Sequence, residues 1–279
     1  MRTRTGGVGV VVVLVVALLA GALATAMALG AGSGSASSQV TAAGKPYDLV
    51  WISDSTGWGV ASVYARRVRQ DLHVKVRVHD RWEGGLPAME ILKRLRTPRN
   101  DFTGLIPLVR DAEVIVVGGS PAGLEVVKGG DCVTSNKPPA EVGPQAWPKY
   151  IAALKAIYKR IFQIRKGAPV ILRTYTYYVP VLFHAPADYP GVTSWDEAGI
   201  LDVCTKKFEW HAWAIRQAAA AYRVPVADVY TAFNGKTHRE DPVAKGYIKP
   251  DNEHPNAKGA AVFAKTLAAL GYRPVTPPK

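Results

Sequence analysis

The sequence predicts a single α/β domain, doubly wound, with about five mainly parallel strands. Three observations predict it. From Tyr47 onward short apolar runs alternate with longer amphipathic ones. Five runs have strand character, and helical patterns lie between them, an arrangement that builds a parallel sheet covered by helices. No internal repeat and no second domain interrupt the pattern over residues 47–279, a length that one α/β domain commonly reaches.

The elements follow in order. "YDLVWIS" at 47–53 is the first strand, and it stops abruptly in "DSTG", where small polar residues and glycine turn the chain. A helix is expected near 59–71, then "VKVRVH" at 74–79 as the second strand and a helix near 87–96. "EVIVVGG" at 113–119 is the third strand, followed by a helix near 145–165. "PVILRTYTYY" at 169–178 is the fourth, with a helix near 207–222, and "VPVADVY" at 224–230 is the fifth. A last helix is expected near 256–270. Two long insertions, roughly 122–145 and 183–206, follow strands three and four.

The first 46 residues do not belong to this domain. Arg2 and Arg4 precede an uncharged apolar run from Val8 to Leu29 that closes in Ala-x-Ala sites, the pattern of a secretory signal over 1–28. An uncleaved membrane anchor is the alternative, since the run is long enough to span a bilayer. Residues 29–46 are rich in Gly, Ser and Ala and read as a flexible linker. Both readings place the domain outside the cytoplasm.

The chain has 35 basic and 22 acidic residues, and setting aside Arg2 and Arg4 leaves a net charge of about +11. Outside a cell such a charge favours anionic wall polymers or lipid surfaces. Its members are scattered along solvated helix faces, so no nucleic-acid site is expected. Cys132 and Cys204, the two cysteines, form one disulfide in an oxidising compartment, closing a loop of about 70 residues. Neither has the histidine neighbour or CxxC partner that a catalytic thiol would show.

In open α/β sheets, ligands bind beyond the carboxyl ends of the strands. Those ends carry "DSTG", "DRWEGG", "GGSPAG" and "TYTYY", and "DNEHPNAKG" follows the fifth strand. A serine becomes a nucleophile when a histidine removes its proton and a carboxylate orients that histidine. Asp251 and His254, three residues apart between Pro250 and Pro255, supply such a pair.

"WISDSTGWG", the glycine turn after strand two, "IVVGGSPAG" and "DNEHPNAKG" fall in the order of four sequence blocks, and across about residues 47–272 the chain resembles the SGNH hydrolases, the GDSL-type esterases and lipases. The resemblance implies a flavodoxin-like three-layer sandwich and a secreted serine esterase that needs no cofactor. It places the nucleophile at Ser55, the general base at His254 and the orienting carboxylate at Asp251. Backbone N–H groups of Ser55 and Gly85 would form the oxyanion hole, with Gly84 the alternative to Gly85. The third block departs from the family: Ser120 stands where an asparagine amide would donate to the oxyanion. A hydroxyl is shorter than an amide. Either Ser120 donates from a shifted backbone, or an N–H such as that of Ala122 or Gly123 replaces it, or the site is slow or dead. The implied substrates are O-acyl groups on polysaccharides or short-chain lipid esters. Acyl transfer to a sugar hydroxyl would use the same residues, and a retired site that only binds glycans or anionic polymers is the alternative from another class.

Trp58 and Trp82 lie within three residues of proposed site positions, and with Tyr175, Tyr177 and Tyr178 they are candidates to line the substrate surface, although alternate residues of that tyrosine strand must face the core. Asp54 reads as the turn residue that fixes the Ser55 loop. His79 and His211 read as structural, and His73, His184 and His238 as solvated. No histidine pair has metal-ligand spacing, so no metal is expected, and a monomer is.

Overall fold

The computed structural model describes residues 44–97, 104–122, 132–140 and 143–278. The expected signal (1–28) and nearly all of the linker (29–46) lie outside them. Among the described residues no helix is long and apolar enough to cross a membrane.

Five parallel strands form one sheet in the order β2-β1-β3-β4-β5, with β1 at Tyr47–Ser53, β2 at Val76–Trp82, β3 at Val114–Val117, β4 at Ile171–Tyr175 and β5 at Val226–Ala227. Helices α1 (Val60–Leu72), α6 (Val229–Asn234) and α7 (Ala257–Ala268) pack together on one face, and α2 (Ala88–Arg96), α3 (Leu105–Asp111), α4 (Pro148–Ile164) and α5 (Leu201–Ala220) on the other. The predicted fold class holds. In β1, Leu49, Val50, Trp51 and Ile52 are all buried, because both faces of that strand are covered. Each such side chain contributes about 1.5–3 kcal/mol by leaving water.

The chain reverses strand order at β1, since β2 lies to one side of it and β3 to the other. That is the switch point where an open α/β sheet leaves a crevice.

Boundaries differ from expectation where side-chain chemistry overrides apolar pattern. The fifth strand was expected over 224–230, but only Val226–Ala227 pair with β4. Asp228 then accepts from the Thr231 N–H and starts α6. The fourth strand stops at Tyr175, so Tyr177 and Tyr178 belong to irregular chain at the rim. Helix α5 begins at Leu201, not near 207, and takes up the end of the second insertion. Helix α3 was not expected at all.

Cys132 and Cys204 are joined as expected, with Cα atoms 5.7 Å apart and a sequence separation of 72. Closing a loop of that length stabilises the fold by about 4 kcal/mol in the chain-entropy account. The disulfide sits in a second small core with Val179, Val181, Leu182, Trp195, Ile200 and Tyr230. The Trp195 indole donates to the Cys132 carbonyl. The described parts of the insertions thus share a core of their own beyond the carboxyl ends of β3 and β4.

Candidate active site

Ser55 is delivered by the end of β1. Asp54 caps a single 3₁₀ turn, Ser55–Gly57, accepting from the Thr56 N–H at 3.1 Å and the Thr56 hydroxyl at 2.5 Å. Beneath the turn, the Trp51 indole donates to Ser53 Oγ and Ser53 Oγ donates to the Asp54 carbonyl, each at 2.8 Å. A Cβ on Gly57 would stand 2.4 Å from Ser53 Oγ and 2.5 Å from Trp51 Nε1, so only glycine lets the turn sit down on this pair. Ser55 is left half-buried at the lip, with its backbone N–H donating to no described residue.

Asp54 is the turn residue expected, but its burial has a further effect. It is 3 % exposed, and burial pushes its carboxyl up to about 6 against the opposing hydrogen bonds from Thr56. Below about pH 4 both folded and unfolded chains hold the proton. As pH rises to about 6 the unfolded chain releases it first, and up to about 3 kcal/mol of stability is lost, with no further loss from this group above that. Asp54→Asn keeps an acceptor for the cap and cannot ionise. Urea midpoints between pH 4 and 7 should fall less in the variant than in the wild type.

Gly85 and Ser120 face Ser55 across the crevice. Gly85 has φ +61°, a left-handed turn that suits glycine, and its N–H also donates to no described residue. Ser120 lies one residue past Gly119, in a short parallel bridge with Pro87. Its hydroxyl donates to the Gly85 carbonyl at 3.2 Å and accepts from the Ala122 N–H at 3.1 Å. Both donors considered at this position, the Ser120 hydroxyl and the Ala122 N–H, are therefore already engaged. Gly123 lies outside the described residues. Ser120 instead ties the loop after β3 to the glycine turn after β2. Ser120→Asn is expected to keep kcat or raise it by up to about 10²-fold by adding a longer donor. Steady-state kinetics on the folded variant check this, and a collapse of kcat would show that the Gly85–Ser120–Ala122 tie matters more than an added donor.

The loop before α7 holds the imidazole by dense local bonding. Asn256 caps α7 through Lys258 and Gly259 N–H groups and donates back to the carbonyls of Gly246 and Ile248. The Lys249 N–H closes the loop on the His254 carbonyl at 2.8 Å. Asp251 Oδ1 accepts the backbone N–H groups of Glu253 and His254, each at 2.9 Å, and Oδ2 lies 3.0 Å from His254 Nδ1. Burial works against the Asp251 charge, but these hydrogen bonds outweigh it and hold the carboxyl below its usual range. An ionised Asp251 accepts only, so the imidazole proton sits on Nδ1 and Nε2 keeps its lone pair. The Tyr178 hydroxyl donates to the Glu253 carbonyl at 3.0 Å, fastening the loop to the chain beyond β4. Among the described residues, no hydrogen bond joins His254 to Ser55. Such contacts commonly close only around substrate.

Ser55, Gly85 and Ser120 line one cavity of about 230 Å³, with Glu253 beside His254 at its edge. Another part of its lining comes from the insertions, the residue before α4 and α5, and includes Thr134, Trp147, Lys207, Phe208 and His211. Trp58 and Trp82 stack on each other at the outer lip, 40 % and 38 % exposed, with ring centroids 5.4 Å apart. Trp58 also meets the His254 ring edge to face at 5.3 Å, and Lys249 Nζ lies 3.1 Å from the Trp58 ring centroid. Tyr175 is a correction. It is the last residue of β4 and is buried between Trp51 and Phe263, whereas Tyr177 and Tyr178, in the irregular chain beyond the strand, line the cavity in its place. His79 and His211 are packed as expected, His79 against Asp48 at 2.9 Å. His238 is not solvated, since it stacks on Tyr230 at 3.9 Å, and His184 pairs with Asp241 at 2.8 Å.

Sequence reasoning missed Lys207 and Trp147 as lining residues, while Tyr177 and Tyr178 were among its candidates. The spacing of Lys207 and His211, four apart on one helix face, was the available signal.

No protein-family model matches the chain, and no curated protein matches it. Solved structures do match over most of its length. A lipase from a goat rumen metagenome is 20 % identical, covers 81 % of this chain and 98 % of its own, and has a TM-score of 0.56. The chain has the SGNH-hydrolase fold. The same SGNH architecture is seen in an extracellular lipase from Streptomyces rimosus, 15 % identical over 80 % of this chain and 99 % of that one, with a TM-score of 0.52. It is seen again in an acetyl xylan esterase variant from Geobacillus stearothermophilus, 14 % identical over 81 % and 95 %, at 0.51.

Proposed function

We propose that the chain is a secreted carboxylic ester hydrolase working through Ser55, His254 and Asp251. The observation that carries this reading is the Asp251–His254 pair, held in the tautomer that leaves Nε2 basic, on the same crevice as Ser55 and two unused backbone N–H groups. Ser55 Oγ bonds to the ester carbonyl carbon while its proton passes to His254 Nε2. The N–H groups of Ser55 and Gly85 hold the oxyanion. The leaving alcohol takes the proton from His254, and water, deprotonated by the same nitrogen, releases the acid and restores Ser55. Lipases and an acetyl xylan esterase share the fold, which fits O-acylated polysaccharides or short-chain esters as substrates. The exposed Trp58–Trp82 pair gives a sugar ring a surface on which to stack, and the disulfide fits an oxidising, extracytoplasmic location.

A fluorophosphonate probe tests the reading by intact-mass analysis. One adduct is expected on the wild type and none on Ser55→Ala. A folded wild type that gains no adduct overturns it.

A further inference from the structure

The inner end of the crevice is polar in an unusual way. Lys207 is only 4 % exposed and is the sole lysine or arginine among the described lining residues. One turn along α5, His211 stacks on Trp147 at 5.3 Å and meets the Tyr177 ring at a tilt at 4.9 Å, which gathers these four side chains at one place. Burial, aided by the charge of Lys207, brings the His211 imidazole down to about 3, so it is neutral. The Tyr150 hydroxyl donates to the Gly119 carbonyl at 2.7 Å, and His211 Nε2 lies 3.0 Å from that hydroxyl and so donates to it.

Two further groups here are buried: Trp147 Nε1, which has no hydrogen-bond partner among the described residues, and the Tyr177 hydroxyl, which is turned to the Asp54 carboxyl. Buried polar groups are rarely left without a partner, and each such group calls for an explanation. Burial keeps the Tyr177 phenol protonated, and the indole can only donate. The Lys207 ammonium has three N–H donors, so a contact it already makes leaves capacity for another. Lys207 and the Trp147 indole thus present hydrogen to the crevice, and one brings positive charge. What complements them is an oxygen acceptor carrying negative charge.

We infer that this end of the crevice is a subsite for a carboxylate, and that the enzyme prefers esters whose acyl chain ends in one. The inference rests on the esterase reading. A cavity of about 230 Å³, roughly eight water volumes, holds a short chain with its terminal group. A polymer cannot end inside it, so the polymeric or bulky alcohol stays at the tryptophan lip and the acyl group enters. Asp54 and Glu253 lie at the serine end of the cavity, and Lys207 lies on the wall that the insertions and α5 supply, which orients a chain with its anionic end away from the nucleophile.

The test compares 4-nitrophenyl monoesters of the succinate-to-adipate series with neutral acyl esters of equal chain length, corrected for spontaneous hydrolysis. The wild type should favour the carboxylated member at one length or more by at least about 10-fold in kcat/KM, the effect of one charge-assisted contact. Lys207→Met should lower that ratio about 10-fold or more, and Lys207→Arg should restore part of it. Preference for the neutral ester at every length, or a ratio unmoved in folded Lys207→Met, overturns the subsite. Thermal unfolding of the wild type with adipate against hexanoate reads the same site without turnover. Stabilisation by the dicarboxylate alone supports it, and none at millimolar ligand counts against it. If neither ester series is hydrolysed, the esterase reading falls and the unfolding measurement decides the subsite.

Discussion

Ser55→Ala is expected to lower kcat/KM for a 4-nitrophenyl ester by about 10⁶-fold, close to 8 kcal/mol of transition-state stabilisation. The size follows from what the hydroxyl alone does. Removing it leaves His254 basic and the N–H groups of Ser55 and Gly85 in place, so substrate still binds and the oxyanion is still met. Only water is left to attack, and without a bound alkoxide the reaction cannot be split into two easier steps. Residual rates of about 10³–10⁴ over water are what binding and oxyanion contacts alone sustain. Two controls make the outcome decisive. His254→Ala should cost nearly as much, and the double variant little more, because the two act as one unit. Circular dichroism on each variant should show the wild-type fold, since Ser55 is half-buried at a lip and makes no side-chain bond that holds the turn. A Ser55→Ala enzyme within 10-fold of wild type would place the nucleophile elsewhere.

The fold was legible because its signals are long-range and redundant. β1 and β3 read correctly in place, since they are central strands buried on both faces and their apolar runs have no competing chemistry. The region around β5 did not. "VPVADVY" has strand propensity throughout, yet one carboxylate at Asp228 captures the Thr231 N–H and turns the second half into helix. A local cap outweighs propensity because it satisfies a backbone donor outright. The site divides along the same line. The proposed Ser55, Asp251 and His254 lie in short local blocks, so a resemblance carried by those blocks can point to them. The subsite around Lys207 is built from three separate segments brought together by a disulfide with a sequence separation of 72 and by aromatic contacts, and no short stretch of sequence carries it. Ser120 lies between these cases. Its position was legible, but its bonds to Gly85 and Ala122 depend on how two loops meet.

Asp251→Asn should lower kcat by about 10⁴-fold while changing KM only a few-fold, and it should be at least as damaging as Asp251→Ala. The reason lies in which oxygen does what. Oδ1 accepts two backbone N–H groups, from Glu253 and His254, and only an oxygen can take that place. The asparagine carbonyl must therefore occupy the Oδ1 position, which puts the amide NH₂ where Oδ2 stood, 3.0 Å from His254 Nδ1. An amide nitrogen donates, so Nδ1 must become the acceptor and the imidazole proton moves to Nε2. The ring keeps its place, but the nitrogen that should receive the Ser55 proton already holds one. Alanine imposes no such choice, and a fraction of the rings retains a basic Nε2. Stability moves in the same direction for a different reason. The Asp251 carboxyl is held below its usual pKa in the folded chain, so the stability it contributes is present above about pH 4 and is lost as pH falls through its folded value. Asn removes that acid-side dependence. A chain whose kcat falls about 10⁴-fold while its urea midpoint at pH 7 drops only modestly would assign Asp251 to the tautomer of His254. Equal losses of kcat and stability would assign it to the loop.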